Sequence, residues 1–125
     1  MTISEFVSYL SETRVLYEGK IDKYKKRGLG IFNTNFVISE YLITEIFQFH
    51  NITKDSITNL TFFEPCVGLG SFVFSYLLKA YQVLEDKSAI IQIVKNIYVA
   101  DADSVALKMY QDLLTTLCKE VFQID

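Results

Sequence analysis

The stretch from Leu60 to Leu78 constrains the fold more than any other part of this chain. Leu60-Thr-Phe-Phe63 is short, apolar and β-prone, and it stops at Glu64-Pro65. Gly68 and Gly70 follow at once, and residues 71–84 carry a helical pattern. A strand, a tight glycine turn and a helix form the opening of a β-α-β unit. Gly68 and Gly70 let the backbone turn sharply and approach a ligand with no Cβ in the way. The helix beginning near Ser71 points free N–H groups and a positive dipole end towards the same space. Tight turns of this kind without ligands are common, so the Gly-x-Gly alone leaves binding open.

The flanking segments give the element order. Thr2 followed by Glu5 is a capping box, so a helix starts at the third residue. Phe6, Leu10, Tyr17, Ile21 and Tyr24 share its stripe, and Gly28 and Gly30 end it. Asn33, Thr34 and Asn35 are all suitable N-caps for a second helix, in which Val37, Tyr41, Ile46 and Phe49 keep the helical period. His50 falls at its C-terminal end, where a cation suits the helix dipole. Residues 88–95 fit a short helix or a strand equally well, whereas Ile97-Tyr-Val-Ala100 reads as a strand running into Asp101-Ala-Asp103. Asp103 or Ser104 caps a last helix, with Ala106, Leu107, Tyr110, Leu114, Leu117 and Val121 as its buried face. The order is two helices, then β-α-β-α.

Composition excludes several classes. Half the residues of this 125-residue chain are apolar and its mean hydropathy is +0.24, which excludes a disordered chain and implies surface meant to be covered. A net charge of −3 excludes nucleic-acid binding by charge alone. Lys20, Lys23, Lys25, Lys26 and Arg27 form one basic cluster, read first as a solvated helix end and second as a phosphate contact. Cys66, Cys118 and the one histidine, His50, lack metal-ligand spacing, so no metal site is expected. The longest uncharged run, from Pro65 to Leu78, is 14 residues, too short to span a bilayer. With no signal-peptide pattern at the start, a cytoplasmic location is expected.

Asp101 lies 31 residues past Gly70 at the end of the second strand. An acid there can accept hydrogen bonds from both hydroxyls of a ribose. It can equally be a helix cap, and capping alone accounts for Asp103. A nicotinamide fingerprint requires a third glycine where Val73 stands. Glu64 is also badly placed beside a pyrophosphate, but it suits a cationic sulfonium or amino group. The pattern favours S-adenosylmethionine over NAD.

Phe63-Glu-Pro-Cys-Val-Gly-Leu-Gly-Ser-Phe72 resembles the D/E-P-x-x-G-x-G-x-F cofactor motif of amino-type, adenine-N6-specific DNA methyltransferases of restriction–modification systems. Gly30-Ile-Phe-Asn-Thr-Asn35 resembles that family's G-x-[FY]-[FY]-T-P element, with Asn33 for an aromatic and Asn35 for the proline. Residues 97–107 resemble its strand ending in D-x-D-x-x-A-L. The resemblance covers roughly residues 25 to 115 and implies a partial Rossmann-like α/β methyltransferase fold preceded by two N-terminal helices. Residues 1–30 would be an N-terminal helix and residues 31–125 the first half of a methyltransferase domain. S-adenosylmethionine would be held by Thr34 at its amino-acid end, by Glu64, Pro65, Gly68 and Gly70 along the methionine and adenosine path, and by Asp101 at the ribose. Ala102 would lie near the adenine, and Phe72 would pack under the loop.

The family's chemistry uses Asn or Asp followed by Pro-Pro and an aromatic, which stacks on a flipped-out base. This chain has one proline, Pro65, and no such tetrad, so no catalytic residue is assigned and methyl transfer by this chain alone is not expected. DNA would be contacted through regions outside it. A two-stranded parallel sheet needs further cover, from the rest of a methyltransferase, a partner or a second copy. Two rivals remain: a non-catalytic interaction module pairing through its sheet edge and apolar surface, and part of a protein or small-molecule methyltransferase.

Overall fold

The structure, a computed structural model, describes residues 1–21 and 34–125. Tyr24, Gly28, the basic residues 23–27 and the segment Gly30–Asn33 of the upstream motif lie outside the described residues.

Helix α1 spans Ile3–Lys20. Its capping box is formed: Thr2 Oγ1 accepts from the Glu5 amide at 3.1 Å, and the Glu5 carboxylate accepts from the Thr2 amide at 2.6 Å. These contacts hold the Glu5 carboxyl below its usual range. Phe6, Leu10 and Tyr17 are the buried stripe. Helix α2 spans Phe36–Phe49, with Asn35 as its N-cap accepting from the Val37 amide at 2.8 Å and His50 as its C-cap.

The buried face of α2 is Phe36, Ser39, Ile43 and Phe47, while Val37, Tyr41, Ile46 and Phe49 face outward. Both stripes have helical period, and the one carrying a small residue is buried. Ser39 lets α2 approach the next long helix, α3 (Ser71–Val83), closely. Its hydroxyl lies 2.8 Å from the Ser75 hydroxyl and has the carbonyls of Phe36 and Ser71 as acceptors within reach of its single proton. A buried hydroxyl so partnered avoids the desolvation cost of an orphan polar group.

Strands β1 (Phe62–Glu64) and β2 (Ile97–Val99) pair in parallel, with Phe62 opposite Ile97, Phe63 opposite Tyr98 and Glu64 opposite Val99. The crossover between them contains α3, a tight turn at Lys87–Ala89 and the short helix α4 (Ile90–Lys95), which resolves the ambiguous segment as helix. Helix α5 (Ser104–Thr116) follows β2 and continues as a π-helical turn over Leu117–Val121. Ala106, Tyr110 and Leu117 are buried as expected, and Leu113 joins them, while Leu107, Leu114 and Val121 are half-buried.

The expected Rossmann-like α/β architecture is not what the chain adopts. Helices of all kinds make up 66% of the described residues, and the sheet has only two strands of three residues. A doubly wound sheet needs several long parallel strands with helices on both faces. Here β1 begins only at Phe62 and stops before Pro65. One sheet face meets α3, where the Phe62 and Tyr76 rings are 4.6 Å apart; on the other face Phe63 and Tyr98 stand 64% and 57% exposed. The β-α-β unit predicted from the glycine turn does form, but it is an appendage to helix packing.

That packing centres on α3, which is buried on nearly every side. Phe74 lies edge-on to Phe6 of α1 at 5.3 Å and tilted against Tyr110 of α5 at 5.6 Å. Burying a ring of this size contributes roughly 1.5–3 kcal/mol. No helix among the described residues is long and apolar enough to cross a membrane.

Candidate functional site

The loop after β1 sits at the C-terminal ends of the two strands, where ligands of parallel sheets bind. The ladder continues past the strands: the Ala100 amide donates to the Glu64 carbonyl at 3.0 Å, and the Val67 amide donates to the Ala100 carbonyl at 3.0 Å. This pairing brings the glycine loop and the Asp101 turn together.

Asp101 fixes the two segments to each other. Its Oδ2 accepts from the Gly68 amide at 2.7 Å and its Oδ1 accepts from the Asp103 amide at 2.8 Å. Each carboxylate oxygen has two acceptor sites, so Asp101, only half-buried, keeps capacity for a further donor such as a ribose hydroxyl. Glu64 ends β1 half-buried, and one of its carboxylate oxygens accepts from the Cys66 amide at 2.9 Å.

The two glycines differ. Gly68 has φ +55°, the left-handed conformation that glycine adopts at least cost, and donates its N–H to Asp101. Gly70 has φ +97° and is buried. A Cβ there would lie 2.7 Å from ring atoms of both Phe74 and Tyr110. The close approach that Gly70 permits is therefore to the aromatic core, which accounts for this glycine without a ligand. Gly70 is also the N-cap of α3, and no side chain caps that helix.

Thr34 is joined to the loop through its carbonyl, which accepts from the Ser71 hydroxyl at 2.8 Å. The end of the upstream motif thus meets the first turn of α3. Pro65 and Ala102 are exposed on the loop and the Asp101 turn. Phe72 is half-buried. It lines an apolar groove of about 410 Å³ with Leu42, Ile46 and Phe49 of α2, with Glu45 as the one charge. Ser71, Asp103 and Tyr17, whose hydroxyl donates to Asp103 Oδ2, contribute to the arrangement without having been singled out for it. For Tyr17 the available signal was a hydroxyl on a buried stripe, which requires a partner.

The site is acidic. The three ion pairs of the described residues, Arg14–Glu18, Lys54–Glu85 and Lys108–Asp112, leave Glu64 and Asp101 without a cation. Two carboxylates with no ion-pair partner among the described residues favour a positively charged ligand. No group of three or more His, Cys, Asp or Glu residues that could hold a metal ion occurs among the described residues. No family model, curated protein or solved structure matches the chain.

Proposed function

We propose that the loop joining Glu64, Gly68 and Asp101 binds S-adenosylmethionine, and that the chain is the cofactor-binding portion of an adenine-N6 DNA methyltransferase of the restriction–modification kind, inactive alone for want of the catalytic tetrad. The observation that carries this reading is the hydrogen bond from the Gly68 amide to Asp101. Segments 33 positions apart, each matching a different cofactor motif, meet there, while Thr34 from the third motif is tied to Ser71. Acceptor capacity at Asp101 suits ribose hydroxyls, and the Glu64 carboxylate, with no ion pair among the described residues, suits the sulfonium or amino group.

Titration of the chain with S-adenosylmethionine, read by calorimetry and thermal shift, tests this. A ligand at about 100 times its Kd stabilises the folded state by about 2.7 kcal/mol. Asp101→Ala should abolish the shift. No stabilisation at millimolar ligand would sink the claim.

A second reading, a non-catalytic interaction module, is favoured by the bare sheet face of Phe63 and Tyr98 and the outward apolar stripe of α2. A chain that binds no adenosyl ligand yet co-purifies with a defined partner through that face would support it.

A further inference from the structure

We propose that Tyr17, on α1, is a positioning residue that holds the glycine loop in place through Asp103 and Asp101. The consequence for ligand affinity rests on the adenosyl reading of that loop; the positioning itself does not.

The connection is a continuous run of hydrogen bonds. The buried Tyr17 hydroxyl donates to Asp103 Oδ2, and Asp103 is itself only 6% exposed. Asp103 Oδ1 caps α5, accepting from the amides of Val105 at 3.0 Å and Ala106 at 3.3 Å. The Asp103 amide donates to Asp101 Oδ1, and Asp101 Oδ2 accepts from the Gly68 amide. Among the described residues Tyr17 is the one donor to Asp103 Oδ2. A buried carboxylate oxygen without its donor is strongly unfavourable. Asp103 would turn to recover a partner, shifting the amide that orients Asp101 and loosening Asp101 on Gly68. Helix α5 has its cap from Oδ1 alone, so capping does not explain the tyrosine hydroxyl. Phenylalanine would fill the same stripe position on α1.

The test uses the full chain with Tyr17→Phe, which keeps the ring, and Asp103→Ser, which keeps a capping oxygen but loses reach to Tyr17. Amide exchange is followed by NMR without ligand, and S-adenosylmethionine binding by calorimetry. The expected result is a Gly68 amide exchanging about tenfold faster in both variants, the size of one lost hydrogen bond, with the interior amides of α3 unchanged. A purely structural role would raise exchange throughout the molecule or nowhere. If the wild-type chain binds the cofactor, affinity should fall about tenfold in step with the loosened loop. Unchanged Gly68 exchange in both variants, or unchanged affinity in a chain that does bind, overturns the proposal. A wild-type chain that fails to bind while Gly68 responds as expected overturns the adenosyl reading and leaves the positioning role standing.

Discussion

Phe63 of β1 stands directly opposite Tyr98 of β2 in the parallel ladder, and both rings face away from α3 with more than half their surface exposed. Two adjacent exposed aromatics on a parallel sheet are unusual, since such sheets are ordinarily covered on both faces. Replacing both by serine should cost no more than about 1 kcal/mol, the scale of a cross-strand pair. Binding of an environment-sensitive apolar dye should fall clearly in the same variant. A loss several times larger in urea unfolding would show that these rings are packed in the folded state.

Gly70→Ala should destabilise the chain by roughly 2–4 kcal/mol, combining strain at a positive φ with overpacking against Phe74 and Tyr110. Gly68→Ala incurs strain at its positive φ, which by itself costs about 1–2 kcal/mol. Chemical denaturation of the variants reads these costs, and a loss at Gly70 no larger than positive-φ strain alone would contradict the packing role assigned to it.

Alkaline stability should depend on two tyrosines. Burial pushes the hydroxyls of Tyr76 and Tyr110 up to about 12, with Cys118 adding a smaller electrostatic contribution at Tyr110. The unfolded chain releases these protons near pH 10 and the folded chain does not. Their contribution is therefore complete below pH 10 and is lost as the pH rises from 10 towards 12. Tyr76→Phe and Tyr110→Phe should each flatten that decline by on the order of 1 kcal/mol, read as melting temperature against pH.

The two cysteines should react at different rates with an alkylating reagent at neutral pH. Cys66 is exposed on the glycine loop, whereas burial pushes the Cys118 thiol up and keeps its thiolate scarce. Mass spectrometry should find Cys66 modified first, and saturating S-adenosylmethionine should slow that modification if the loop closes on its ligand.

What was legible in the sequence was local. Thr2 and Glu5 announced α1, the run Asn33–Asn35 announced α2 and the pair Asp103–Ser104 announced α5, with Asn35 and Asp103 proving to be the caps, because a cap is satisfied by neighbours within a few positions. The Phe63–Phe72 turn and the strand at Ile97 were equally local. The extent of the sheet was not legible, since three-residue strands satisfy the same pattern as the start of a longer ladder. The buried side of α2 turned on Ser39, a polar residue whose value as a contact depends on serines more than 30 positions away. At the site, Gly68 and Asp101 were expected on one ligand, but their direct hydrogen bond and the packing explanation for Gly70 needed the folded positions of Asp101, Phe74 and Tyr110.

The Tyr17–Asp103 bond spans 86 positions of chain. Contacts that distant are formed against a large loop-closure entropy and tend to be made after the local helices. The loop around Gly68 should then acquire its final shape late, once α1 has docked. In stopped-flow measurements Tyr17→Phe should speed unfolding while leaving the folding rate nearly unchanged, the behaviour of an interaction absent from the transition state.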